Sequence, residues 1–138
     1  MRIQLKLAVL AAAALGVIYL GTAAADDATD KLKDVKGCMA FQGKVRKEVP
    51  DLLKASNPDW DKVQKETKDW VAMAETLGKQ KPPKGSDESW KKQTDKYLGL
   101  VKDVDAAAEK KDLNGMKKGM GTIGMACGGC HSQHKPKK

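Results

Sequence analysis

The chain has 138 residues, with 26 basic and 18 acidic side chains, a formal net charge of +8 and one phenylalanine. This length suits one small domain and is too short for two. The basic residues are interleaved with acidic ones and have no aromatic platform among them, which argues against a nucleic-acid interface.

Residues 1–25 have the composition of a secretory signal peptide, with two basic residues before an apolar run over 7–20 and a small-residue site ending at Ala25. An uncleaved membrane anchor is the alternative, although the run is short for a full span. We expect cleavage after Ala25 and export to the periplasm, which leaves a domain over 26–138 without stable membrane insertion. Two basic residues are lost, so 24 remain against 18 acidic ones, a net charge of +6.

The rest of the chain has helical periodicity and almost no strand pattern. Apolar residues at spacings of three and four predict four amphipathic helices. The first covers 28–49 and is closed or kinked by Pro50; the second runs from an Asn57-Pro58 cap to Gly78. The third follows a linker over 79–85 and is capped by Ser86 or Asp87; the fourth is capped by Asp112. Four such helices with short connections predict an all-α antiparallel four-helix bundle.

The fourth predicted helix leads into Cys127-Gly128-Gly129-Cys130-His131, the Cys-x-x-Cys-His signature of c-type haem attachment. Residues i and i+3 project from one face of a helical turn, so both thiols can reach the two vinyl groups on one porphyrin edge. His131 can then ligate the iron as the proximal ligand. We therefore predict one covalently bound haem c per chain.

Two other hypotheses would explain the same Cys-x-x-Cys-His residues. A thioredoxin-like dithiol needs a helix after the motif to lower the pKa of its first thiol, and only a short basic tail follows here. A zinc site could recruit Cys127, Cys130, His131 and His134, but structural zinc usually separates its two ligand pairs by a dozen or more residues. A metal-binding module without haem therefore stays open as an alternative function.

The fourth helix is unusually rich in glycine. The six glycines are Gly115, Gly119, Gly121, Gly124, Gly128 and Gly129. Each costs roughly 0.5–1 kcal/mol relative to alanine inside a helix. We expect the haem to hold this segment and the missing Cβ atoms to allow close approach of backbone and porphyrin; a break near Gly121 is the alternative. With one phenylalanine in the chain, we also expect the haem to form much of the core and the apoprotein to be unfolded or molten.

With these features the chain resembles the class II c-type cytochromes, the cytochrome c′ family, whose four-helix bundle carries Cys-x-x-Cys-His near its C-terminus. The resemblance implies a haem attached covalently at the C-terminal helix, and often a homodimer through the first two helices. The chain is most similar to a planctomycete-type set of small exported monohaem cytochromes, through Val35-Lys36-x-x-Met39, Pro58-Asp59-Trp60, the segment 81–85 and Glu88-Ser89-Trp90.

This resemblance implies that the sixth iron ligand decides the function. A methionine on the first helix gives a low-spin electron carrier, whereas an apolar residue leaves a five-coordinate iron that binds NO or CO. Met39 matches the ligand position, so we expect His131 and Met39 as metal ligands and single-electron transfer between redox partners. Packing of Met39 in the core, with gas binding, is the alternative. Lys135 stands where the family has an arginine near a haem propionate, and we expect it to pair with that carboxylate.

Several remaining features carry weaker expectations. His134 should be solvated, Met73 should lie on the exposed edge of the second helix, and Cys38, which has no partner after haem attachment, should be a small core residue. The positive surface is either simply solvated or steers an acidic redox partner. No paired carboxylate and no nucleophile beside a base is visible, so we do not expect an enzyme.

Overall fold

The computed structural model describes residues 32–137, and over this range it contains four α-helices and no strand. The helices are α1 (Val35–Leu52), α2 (Trp60–Lys79), α3 (Asp87–Glu109) and α4 (Leu113–His134). The predicted all-α architecture of four helices is therefore confirmed for these residues. The predicted signal peptide lies outside the described residues. Between residues 32 and 137, no helix is long and apolar enough to cross a membrane.

Each helix begins at a side chain that accepts a hydrogen bond from a backbone N–H of the first turn, a group with no partner inside the helix. These caps are Asp34, Asp59, Ser86 and Asp112, which accept from the N–H groups of Gly37, Lys62, Ser89 and Gly115. The predicted caps at Ser86 and Asp112 are confirmed. The predicted start of the second helix at Asn57-Pro58 is wrong by two residues, because Asp59 provides the capping carboxylate.

Two helices continue past residues that were expected to end them. α1 passes through Pro50 to Leu52, because the Leu53 N–H still bonds to the Val49 carbonyl at 3.1 Å. α2 passes through Gly78 to Lys79, since Gly78 does not adopt the positive φ of a helix-ending glycine. At the other end, α1 begins at Val35 rather than at residue 28, after a turn over the described residues 32–34.

Hydrogen bonds and close contacts between helices show that α2 and α3, and likewise α3 and α4, run antiparallel. From α2 to α3 the bonds are Gln64 Nε2 to Ala108 O at 3.1 Å, Thr67 Oγ1 to Asp105 Oδ1 at 2.6 Å, and Trp70 Nε1 to Tyr97 Oη at 2.6 Å. Residue numbers rise along α2 as they fall along α3. The relation repeats between α3 and α4, where Ser89 lies beside His134 and Val104 beside Gly119.

The core lies between helices that pack closely in the pairs α1–α2, α2–α3 and α3–α4, whereas α1 and α4 approach each other much less. Its largest fully buried side chains are Trp70, Met73, Met116 and Ile123. Met73 was expected on the exposed edge of its helix, and that prediction is wrong, because its side chain is fully buried.

α4 is continuous from Leu113 to His134, so the predicted alternative of a break near Gly121 is wrong. A Cβ atom built on Gly119 would lie 2.6 Å from Val104 Cγ2, whereas one on Gly121 would meet nothing within 4 Å. Real Cβ contacts are not that short, so Gly119 lets α3 and α4 approach closely. At this position the close approach is to a neighbouring helix and not, as we had expected, to a porphyrin.

Candidate cofactor-binding site

A groove of about 550 Å³ lies between α1 and the C-terminal part of α4, which do not pack closely against each other. All five predicted site residues line it: Met39 on α1, Cys127, Cys130 and His131 on α4, and Lys135 directly after α4. This volume is within the range of sites that bury small molecules and cofactors. The fold therefore brings together residues from opposite ends of the chain.

On the α4 wall, Cys127 and Cys130 lie one helical turn apart and both side chains are half-buried, while the His131 side chain is exposed. The three cysteines of the described range are free thiols. Burial raises the pKa of the Cys130 thiol above its ordinary value, and a negative charge on Cys127 would raise it further. The two thiols and the imidazole thus share one wall, as attachment of a haem through both sulfurs requires.

On the α1 wall, three residues at spacings of three and four face the same groove. Met39 is half-buried and packs against the hydrophobic core. Gln42 is 7% exposed and donates from Nε2 to Cys127 Sγ at 3.3 Å, and Arg46 Nη1 lies 3.8 Å from the same sulfur. A thioether on α1 therefore shares the groove with an imidazole on α4. Met39 and His131 also line a small adjoining cavity of about 30 Å³.

His134 was expected in solvent, and that prediction is wrong: its side chain is 2% exposed. Its Nδ1 donates to the Lys84 carbonyl at 2.6 Å, since a carbonyl can only accept, and its Nε2 lies 3.1 Å from Ser89 Oγ. The ring packs edge to face against Trp90, with 5.1 Å between ring centroids. With both nitrogens engaged, His134 ties the α2–α3 loop to α4 and is unavailable as a fourth zinc ligand.

The loop fits around His134 only because residue 85 is glycine. Gly85 has a φ of +85°, a conformation that side chains disfavour, and a Cβ atom there would lie 2.9 Å from His134 Nδ1. The loop residues that precede it continue to the groove, which Pro83 lines. This contact brings the α2–α3 connection against the end of the groove.

Cys38 is fully buried beside Met39, which confirms the expectation that it is a small core residue. Its thiol donates to the Leu32 carbonyl at 3.8 Å. Burial raises the pKa of this thiol, and the negative charge of Asp34 raises it further. The Cys38 thiol therefore stays protonated and does not take part in the groove.

The charged side chains of the groove are all cationic. Lys36, Arg46 and Lys135 line it, and no lining residue is acidic. Sequence analysis missed Lys36 and Arg46, because a cation on a helix surface does not by itself indicate a groove. The spacing could have indicated Arg46: it follows Met39 by seven residues, which is two helical turns, and so lies on the same face of the helix.

The donor set fits a covalently attached haem, since it combines two free thiols one turn apart, an adjacent imidazole, a facing thioether and mostly apolar walls. The three cations that line the groove are suitable partners for the carboxylate substituents of such a group. Among residues 32–137, no group of three or more His, Cys, Asp or Glu side chains is arranged to hold a bare metal ion.

Comparison with known proteins finds no match to this chain. No protein-family model matches it, and neither a curated protein nor a solved structure does. Its function is therefore inferred from the groove and from the residues that line it.

Proposed function

We propose that this protein is an exported monohaem c-type cytochrome that carries single electrons between redox partners, with His131 and Met39 as the iron ligands. The observation that carries the proposal is that Met39 on α1 lines the same groove as Cys127, Cys130 and His131 on α4. Two thiols at i and i+3 followed by histidine are specific for haem attachment. The Met39 thioether, on the helix across the groove, would supply the sixth ligand of the iron, as in a low-spin electron carrier.

Each residue has a role in this proposal. Cys127 and Cys130 would hold the haem, each by adding its thiol across one vinyl group, so that the sulfur and the hydrogen of the thiol end on the two vinyl carbons. When bound, the iron supplies a one-electron couple between its ferric and ferrous states. The Met39 thioether favours the ferrous state and so raises the reduction potential. Lys135, which lines the groove, offers a cation to a propionate carboxylate.

A second candidate is a five-coordinate cytochrome that binds NO or CO. The observation that favours it is the packing of Met39 against the hydrophobic core. If the thioether keeps that contact in the haem-loaded protein, the sixth position stays open. The two functions therefore differ in whether the Met39 sulfur binds the iron or stays packed in the core.

The test begins with a pyridine haemochrome assay on protein expressed with export to the periplasm, which establishes whether haem is attached. Optical spectra of the ferric and ferrous protein are then recorded with and without CO, for the parent and for Met39→Ala. The carrier predicts a low-spin spectrum, a methionine-to-iron charge-transfer band that the substitution abolishes, and no rapid CO binding by the parent.

The matched control is Met125→Ala, which removes a methionine that is 77% exposed and does not line the groove. This variant should keep the parent spectrum. A high-spin parent that binds CO at once and is unaffected by Met39→Ala would contradict the carrier and favour gas binding. A protein without haem would contradict both functions and leave the metal-binding module.

A further inference from the structure

Charge is distributed unevenly between the two halves of the bundle. On α2 and α3, acidic and basic residues alternate and form ion pairs; these are Lys65–Asp69, Lys68–Glu109, Lys91–Asp95 and Lys102–Glu75. α4 has no acidic residue from Leu113 to His134, and basic residues follow it; α1 has four basic and two acidic residues, with one ion pair within the helix, Lys44–Glu48. The half of the bundle that contains the groove is therefore the more positive one.

Among residues 32–137, the cations around the groove have no carboxylate partners. Lys36, Arg46 and Lys135, here called the rim, are exposed, and none of them forms an ion pair within residues 32–137. A haem in the groove would contribute two propionate carboxylates, so at most two rim charges would be neutralised from inside. Lys47 and Lys117, also exposed and without ion pairs in that range, extend the positive charge along α1 and α4.

We propose that the rim is the docking surface for the acidic face of a redox partner protein, a conclusion that rests on the proposed electron-carrier function. Arg46 lies 3.8 Å from Cys127 Sγ, one of the two attachment points. A partner carboxylate bound to Arg46 would therefore stand beside the edge of the haem. Complementary charge between the rim and a partner increases the rate of productive encounter by 10-fold or more at low salt.

An acidic protein is a better match for this surface than an anionic membrane. Peripheral binding to a membrane needs an apolar face beside the cations. The one large hydrophobic side chain that is exposed among residues 32–137 is Met125, and it is not on the rim. The rim instead surrounds the groove in which the haem would lie, so a protein carboxylate that pairs with it would stand beside the haem edge.

The experiment measures reduction of the ferric holoprotein by an acidic plant-type ferredoxin in stopped flow, at about 10 mM and about 200 mM ionic strength. The rim variant is Lys36→Glu with Arg46→Glu. The control is Lys62→Glu with Lys96→Glu, which changes net charge equally at exposed lysines without ion pairs on α2 and α3. Reduction by hexaammineruthenium(II), measured at about 200 mM ionic strength so that its positive charge is largely screened, reports the intrinsic reactivity of each haem.

At low salt we expect the rim variant to be reduced by ferredoxin roughly 10-fold more slowly than the parent, relative to its rate with the ruthenium complex. The control should stay within about 3-fold of the parent, and the difference should shrink at high salt. Equal losses in both variants would show that net charge alone matters and would overturn the rim as a docking surface. An unchanged ferredoxin rate with lost binding to phosphatidylglycerol vesicles would overturn it in favour of a membrane.

The two proposals fail separately in this design. If no haem is attached, no variant has an iron to reduce, and the carrier function itself is contradicted. If the haem is present and is reduced by the ruthenium complex, the proposed carrier function is not contradicted. The docking surface is then judged separately, from the ratio of the ferredoxin rates of the rim variant and the parent.

Discussion

α4 contacts two neighbours in different ways along its two sides. Against α3 the side is closed: Gly119 admits Val104, and His134 reaches Ser89. Against α1 the side is open, and a groove of about 550 Å³ separates the walls that carry Met39 and His131. One helix thus borders both a closely packed interface and the groove, so close packing and the candidate chemistry are divided between its two sides.

The largest expected effect comes from removing the haem that we propose for the open side. Cys127→Ala with Cys130→Ala should carry no haem and lose its cooperative thermal transition, because the groove walls would face water. Far-UV circular dichroism should keep part of the helical signal, since the closed side has a buried core of protein side chains. A cooperative melt with the midpoint of the haem-loaded parent would contradict this division.

The packing of α2 against α3, away from the groove between α1 and α4, can be weakened by breaking one buried hydrogen bond. Trp70 Nε1 donates to Tyr97 Oη at 2.6 Å, and both side chains are buried. Tyr97→Phe leaves the indole N–H without its acceptor and should lower the free energy of unfolding by about 1–3 kcal/mol in urea titrations. Trp70→Phe and the double variant complete a cycle that isolates the bond.

If this hydrogen bond stabilises the bundle, the double variant should be less destabilised than the sum of the two single variants. Strict additivity would show that the two polar groups do not act together. The optical spectrum serves as the control, because neither residue is a proposed ligand and the haem band positions should not shift in the folded variants.

Local patterns in the sequence could be predicted, whereas contacts between distant residues could not. The Asp112 cap and the spacing of Cys127, Cys130 and His131 are local patterns, so they were predictable, and the alignment of Met39 with that motif was expected from the family resemblance. The burial of His134 was not predictable, because its partners Lys84 and Ser89 lie 50 and 45 residues away. No local pattern indicates such distant contacts.

The glycines illustrate the same limit. Their cost to the helix follows from composition, but their roles depend on what faces each of them. Gly119 faces Val104 and Gly124 faces Arg46, whereas Gly121 faces open space. Similar residues in one helix therefore have different reasons to be small, and only the tertiary contacts distinguish them.

A matched pair of alanine substitutions sharpens this distinction within α4. Gly119→Ala places a Cβ atom 2.6 Å from Val104 Cγ2, so α3 and α4 must separate and the free energy of unfolding should fall by about 1–3 kcal/mol. Gly121→Ala meets no neighbour and should raise it by about 0.5–1 kcal/mol through helix propensity. Changes of the same sign in urea titrations of the two holoproteins would refute the packing role of Gly119.

The smallest expected effect is a pH dependence from Cys38, which packs beside the open side without entering the groove. Burial, reinforced by Asp34, raises the pKa of its thiol above the ordinary 9.0. The folded state therefore favours the neutral thiol. Its contribution is fully present below the unfolded pKa and is lost as pH rises towards the folded pKa, because the unfolded thiol ionises first. By pH 9 the loss is at most about 0.4 kcal/mol, the value of RT ln 2.

Urea titrations of the parent and of Cys38→Ala between pH 7 and about 10 measure this slope, which should be shallower in the variant. Cys130 does not contribute in the haem-loaded protein, since a thioether has no proton to lose. Tyr97 adds a loss of the same sign at higher pH, because burial raises the pKa of its hydroxyl too, and Tyr97→Phe removes that part. Identical slopes for the parent and Cys38→Ala would mean that the Cys38 thiol is solvated when the protein is folded, and that the open side extends past Met39 into what is described here as core.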